Sequence, residues 1–157
     1  MNVFVLDLDP VLAARCQIDK HVVKMVLETT QLLSTAHWLN GQSGPYKSTH
    51  SKHPCTKWAA ASLGNYNWLS EHGLALLSEY TARYGKRHGC TDILTDLAFY
   101  PPASIPDLGL QPFAIAINKD NFGSCIVPGD PVSSYRNYYR TAKAGIASWK
   151  RNKPDWW

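Results

Sequence analysis

Closely spaced cysteines are missing: Cys16, Cys55, Cys90 and Cys125 stand far apart in 157 residues and form no C-x-x-C pair. A disulfide framework or a zinc knuckle needs tighter spacing, so four separate thiols in a reducing, cytoplasmic setting are expected. Long apolar runs are missing too. The opening Met1-Asn2-Val3-Phe4-Val5-Leu6 is apolar but has no basic leader, and Asp7 and Asp9 interrupt it at once. It reads as neither a signal peptide nor a membrane span, and no membrane partner is expected. Charge is scarce: 18% charged residues against 45% apolar excludes a disordered chain. Repeats and low-complexity stretches are absent, and the ten glycines and ten prolines are scattered. One domain over residues 1–157 is expected, long enough to bury roughly 68–70% of its unfolded surface and to fold as a monomer without a staple.

What is present is a modest excess of positive charge, +4 at pH 7, and its placement. Arg83, Lys86, Arg87 and His88 form one cluster, Arg136, Arg140 and Lys143 a second, and Lys150, Arg151 and Lys153 a third. Tyr80, Tyr84, Tyr135, Tyr138, Tyr139, Trp149, Trp156 and Trp157 are interleaved with them. Cations for phosphates beside rings that stack on bases are the composition of a nucleic-acid surface, and double-stranded DNA is the expected partner. A solvated basic face over an aromatic core would have the same composition.

The periodicity predicts an all-α fold with a short N-terminal extended arm and long irregular connections. Residues 3–6 read as a short buried strand or arm closed by Asp9-Pro10, followed by one long helix over Val11–Trp38. Gln17, His21, Lys24, Glu28 and Gln31 recur at helical spacing and predict a polar surface stripe, with Val22, Val26, Thr29 and Leu33 facing away. The Gly/Ser/Pro-rich segment 40–52 predicts a loop. A second long helical region opens at His53-Pro54, with Trp58, Ser62, Tyr66, Leu69, Gly73, Leu76, Tyr80 and Tyr84 as its inner stripe and Gly64 as a place where it divides. A short helix is expected over 91–99, an irregular wrap over 100–129, and a last helix opened by Asp130-Pro131. Its inner stripe is Tyr135, Tyr139, Ala142, Ile146 and Trp149, leaving Arg136, Arg140 and Lys143 outside.

Three groupings of residue types bear on chemistry. The Leu6–Pro10 run LDLDP looks like the start of an aspartate-based phosphotransferase site, but that fold needs alternating strands and helices that the sequence lacks. The two carboxylates are expected to orient the arm or pair with basic residues. His50, His53 and Cys55 lie close together but lack a third and fourth ligand at a recognised spacing, so neither a metal nor a cofactor is expected. His53 is expected to anchor the loop or touch a phosphate. The stripe is the most chemical feature. Lys24 and Glu28 at i, i+4 form a helix-stabilising pair in the plain reading. With His21, Gln17 and Gln31 on the same face, the stripe also offers a nucleophile, a proton carrier and base-edge hydrogen bonds.

These residues resemble a known family, the pyrimidine-dimer DNA glycosylases of the endonuclease V type from phages and bacteria. Lys24 to Leu33 is similar to the K-x-x-x-E-x-x-Q segment of the bacterial first long helix. His53-Pro54, Trp58, Tyr66, Gly73, Glu79 and Arg83 resemble the H-P-x-x-x-W…Y…G…E…R second helix. Tyr135-Arg136-Asn137-Tyr138-Tyr139 looks like the W-Y-K-Y-Y segment of the phage enzyme. The resemblance implies a helical protein that displaces a nucleotide from duplex DNA and cleaves a damaged or modified pyrimidine's glycosidic bond through an imine with an amine.

It further implies Lys24, or the Met1 amine, as nucleophile, with Glu28 handling protons and His21 beside them. Lys20, Gln31, His53, Arg83, Lys86, Arg87, Tyr135, Arg136, Tyr138, Arg140 and Lys143 would face DNA. The resemblance leans toward a virus-encoded protein acting in the host cytoplasm. Two differences stand out. Asn2 is too large for ready removal of Met1, and the family's R-E-x-x-R stretch aligns with Lys20-His21-Val22-Val23-Lys24, where His21 replaces the carboxylate. Two other readings follow: a DNA-binding or base-modifying protein on this scaffold without lyase activity, and a small enzyme acting on free nucleotides.

Overall fold

Two long helices packed against each other, α2 (Asp19–Leu39) and α4 (Leu63–Tyr84), form the centre of a computed structural model that describes residues 1–157. Around them lie α1 (Pro10–Arg15), α3 (Pro54–Ala61), α5 (Thr91–Phe99), the one-turn α6 (Lys119–Phe122) and α7 (Pro131–Ala142). There is no sheet, and the fold is all-α. Residues 3–6 are an extended arm buried between α2 and α7: Phe4 stacks on the His21 ring at 4.4 Å and meets Tyr135 and Tyr139 edge-on. No helix is long and apolar enough to cross a membrane.

Local chemistry explains most boundaries. Asp9 caps α1 by accepting from the N–H groups of Val11 and Leu12, and Asp7 pairs with Arg136, so both carboxylates of the LDLDP run orient the arm. His53 caps α3 through Nδ1, which accepts from the Cys55 N–H at 3.2 Å. Asp130 caps α7 ahead of Pro131. The second helical region divides two residues earlier than its glycine, at Ser62, whose hydroxyl donates to the Gly109 carbonyl at 2.6 Å. Gly64 serves a different purpose, since a Cβ there would lie 2.2 Å from the Gly109 backbone. That contact is where the 100–118 wrap crosses α4. All four cysteines are free thiols.

The expected single helix over 11–38 is two helices. Cys16, Gln17 and Ile18 interrupt it, and Arg83 is the reason. Its buried guanidinium donates to the carbonyls of Arg15 (2.9 Å) and Gln17 (2.8 Å), groups left unpaired where α1 stops, and binds Asp19 and Glu79 at 3.0 Å each. Arg83 therefore belongs to the core and not to a DNA-facing surface. The C-terminal segment closes the same cluster: Ser148 and the Lys150 N–H bond Asp19, and Asn152 bonds Glu79.

The polar stripe is likewise not a solvent surface. Gln17 lies in the interruption, fully buried, donating to His72 Nε2 at 3.0 Å, while His72 Nδ1 donates to the Pro10 carbonyl. His21 and Glu28 are buried, Gln31 is half-buried and only Lys24 is open. The stripe keeps helical phase but faces inward, because the arm and α7 cover it.

Replacing Arg83 leaves the Asp19 and Glu79 carboxylates buried without a counter-charge. Arg83→Met should lose about 3–5 kcal/mol in urea denaturation, whereas Lys86→Met, on an exposed residue, should stay within about 0.5 kcal/mol.

Candidate functional site

Glu28 is where the ends of the fold meet. It lies on the buried side of α2, and its Oε2 accepts from the Asn2 N–H at 3.1 Å and sits 3.7 Å from the Met1 amine. Its Oε1 accepts from Lys24 Nζ at 3.0 Å. The carboxylate is thus shared by an α-amine and a lysine amine, one enclosed and one on a stem that is 69% exposed. Such a group can take a proton from either amine and return it to an atom bonded to that amine.

Asn2 holds this arrangement and had no sequence signal beyond being polar within an apolar arm. Its Oδ1 accepts from the Tyr135 hydroxyl at 2.7 Å and from the Val3 N–H at 2.8 Å, and its Nδ2 donates to the Ala116 carbonyl. Cys55 Sγ and Thr56 Oγ1, in the first turn of α3, approach Asn2 Oδ1 and Met1 Sδ at 3.7 and 3.9 Å. Burial pushes the Cys55 thiol up to about 11, so it stays protonated as a donor. His53 stands one residue before that turn. Because its Nδ1 is occupied by the cap bond, its other ring nitrogen is the free one. Burial, the α-amine and His50 push His53 down, with Glu28 opposing. His50 has a left-handed backbone, φ 49°, with Nδ1 bonded to Thr49 Oγ1 at 2.7 Å. Strain of this kind gathers at functional sites.

The remaining expected residues divide by position. His21, expected beside the nucleophile, is packed in the core with Nδ1 on the Tyr139 hydroxyl at 2.6 Å. Burial pushes its imidazole down to about 3, with Lys143 and Lys24 adding to the effect. Tyr135, expected to face DNA, is fully buried and serves Asn2. Lys20 and Lys24 are open on α2, and Lys143 stands with Nζ 5.2 Å from the centre of the half-buried Tyr138 ring. Arg136 and Arg140 are occupied: the first bonds the Leu6 carbonyl and Asp7, the second the Trp156 carbonyl, and both stack on Trp156. Lys86 and Arg87 lie past the end of α4, where Arg87 pairs with Asp92. His50, His53 and Cys55 do not converge, and no group of three or more His, Cys, Asp or Glu side chains is placed to hold a metal ion.

The all-α chain gathers two amines on one buried carboxylate, with Lys20 and Lys24 open beside it. Residues 1–92 match the family model described as pyrimidine dimer DNA glycosylase, and the chain belongs to that family. The match runs from the arm into α5, so it contains Met1, Asn2, Lys24, Glu28 and His53, while α7 lies beyond it. Membership makes this a DNA-binding protein of the DNA glycosylase kind. No match was found among curated proteins or among solved structures.

Of the four histidines pushed down, the two buried ones, His21 and His72, carry the larger shifts and dominate the pH dependence. His21 and His72 are pushed down to about 3 and about 4, both chiefly by burial, against 6.5 for an ordinary histidine. The unfolded chain therefore binds more protons below about 6.5, so stability is full above that pH and falls as pH drops toward 4. Between pH 7 and pH 5 each should cost roughly 2 kcal/mol. Urea midpoints measured across this range should drop accordingly, and His72→Gln should flatten the slope by about half.

Proposed function

We propose that the protein removes a damaged or modified pyrimidine from duplex DNA, with an amine held by Glu28 as the nucleophile. The carrying observation is the buried Glu28 carboxylate with Met1 and Lys24 amines on its two oxygens. In this reading the free amine attacks C1′ of the deoxyribose. The C1′–N bond breaks, and the departing base keeps the electron pair and takes a proton from water. Glu28 accepts the proton released by the attached amine and delivers it to O4′ as the C1′–O4′ bond opens. The product is a protonated imine, which water hydrolyses back to amine and abasic sugar. Removal of a C2′ proton from the same imine would expel the 3′ phosphate, the lyase branch.

Either amine fits. Lys24 has the reach, being open on a flexible stem. The Met1 amine has the position, enclosed 3.7 Å from Glu28 Oε2. Asn2 and Tyr135 are positioning residues that hold the arm against Glu28. Lys20 and Lys143 supply phosphate contacts, Tyr138 a stacking ring, and His53 and Gln31 hydrogen bonds to sugar or base. Lys86, Arg87, Arg136 and Arg140 would add only outlying charge.

Borohydride should trap the protein covalently on duplex DNA holding an abasic site or a damaged pyrimidine. Glu28→Gln should slow trapping by about 100-fold, the usual scale for a proton-transfer group. Loss of trapping in Lys24→Ala names Lys24 as the nucleophile, and loss only on blocking the α-amine names Met1. Tight binding with no trapping or cleavage of either substrate would refute the reaction and establish a DNA-binding role without bond cleavage.

A further inference from the structure

The long helix α2 meets solvent through a narrow opening. Over its first turns the fully open residues are Lys20, Val23, Lys24 and Leu27. Their spacing of i, i+3, i+4 and i+7 places them on one stripe. Beyond Leu27 only Gln31 is half-open until the last turn, where Trp38 and Leu39 are exposed. The 40–53 loop lies on the covered stretch between, through Ser34 Oγ to the Tyr46 carbonyl at 3.0 Å and Thr35 Oγ1 to the Thr49 carbonyl at 3.3 Å.

Two of the four open positions hold branched aliphatic side chains, Val23 at 40% and Leu27 at 42% exposure. A single exposed aliphatic residue needs no explanation. Two of them, one turn apart and alternating with two lysines in the N-terminal opening of a central helix, call for a partner. The lysines argue against an apolar protein surface, which would have to desolvate them. Phosphates would not. Apolar side chains flanked by cations are the equipment of proteins that separate stacked bases and contact the adjoining backbone. The location agrees: Leu27 directly precedes Glu28, and Lys24 reaches from the stripe to the Glu28 carboxylate.

We propose that Val23 and Leu27 form an apolar wedge that enters the base stack of duplex DNA and fills the place of the displaced nucleotide, whose sugar is then presented to the Glu28 amines. Lys20 holds the neighbouring phosphate. The proposal rests on the glycosylase reading above and adds to it the means by which the nucleotide leaves the stack.

The test separates displacement from chemistry by comparing the wild-type protein with a Val23→Ser/Leu27→Ser double variant. Two readouts are used: borohydride trapping on abasic DNA, duplex against single-stranded, and the fluorescence of 2-aminopurine placed beside the abasic site in the duplex. A single strand has no stack to open. The double variant should therefore trap it at the wild-type rate, trap the duplex at least about tenfold more slowly, and lose the fluorescence rise that wild type gives on binding. Its thermal unfolding should match wild type, since both positions are exposed. Wild-type trapping of the duplex with a full fluorescence rise would overturn the wedge, as would equal loss on both substrates, which would put Leu27 in the chemistry instead. If wild type traps neither substrate the glycosylase reading fails. A fluorescence rise that wild type gives and the variant lacks would still support the wedge.

Discussion

A guanidinium with no exposed side-chain surface sits where four pieces of chain meet, and the rest of the molecule is arranged around keeping it paired. Arg83 reaches from the end of α4 to the carbonyls of Arg15, the last residue of α1, and of Gln17 in the interruption, to Asp19 at the start of α2 and back to Glu79 on its own helix. The residues after Ala147 close over the same carboxylates. Breaking such a buried set is far more costly than its net contribution would indicate, because each orphaned charge remains out of water. No side chain caps α2, since Ile18 occupies that position. The cluster fixes where α2 begins, and with it which residues face inward. With that phase Glu28 points to the arm, and Val23 and Leu27 point out.

The arm is the second constraint. Phe4 is held between His21 and the α7 tyrosines, and Asn2 is tied to Tyr135, Val3 and Ala116. Tyrosine hydroxyls deep in the protein therefore do two jobs: they fill the core and they satisfy polar groups that would otherwise be orphaned. His21 shows the consequence. Its partner is Tyr139 and not a substrate atom, and losing its charge is the condition for occupying that place.

Much of the architecture could be read from residue order. Helix starts written as Asp9-Pro10, His53-Pro54 and Asp130-Pro131 are local signals, and local signals survive tertiary context. The Lys24–Glu28 pair was legible for the same reason, being an i, i+4 relation. What could not be read depended on distant partners. Gln17 keeps the helical phase of the stripe, so nothing in the periodicity marks the interruption it lies in. Arg83 looks like a basic residue near a helix end, and only the arrival of Asp19 from far along the chain makes it a core residue. Glu79, four residues before it, was the one local hint. Tyr135 and Tyr138 are neighbours in the same aromatic segment, yet one is sealed against Asn2 and the other is half-open beneath Lys143. Asn2 had nothing to announce it, because its importance comes from hydrogen bonds to Glu28, Ala116 and Tyr135, all distant in sequence.

The narrowness of the α2 opening has a consequence for what the protein is able to distinguish. From Lys20 to Leu27 the helix rises by about 10 Å at about 1.5 Å per residue, the height of about three stacked base pairs at about 3.4 Å each. The proposed wedge by itself would cover too few pairs to spell out a word of sequence. Sites on DNA would differ for this protein in mechanical terms: a place where two or three pairs already part with little effort is cheap to open, and an intact stretch is not. The molecule would then find its target by testing compliance along the double helix, with the letters of the sequence mattering only through the stiffness they confer.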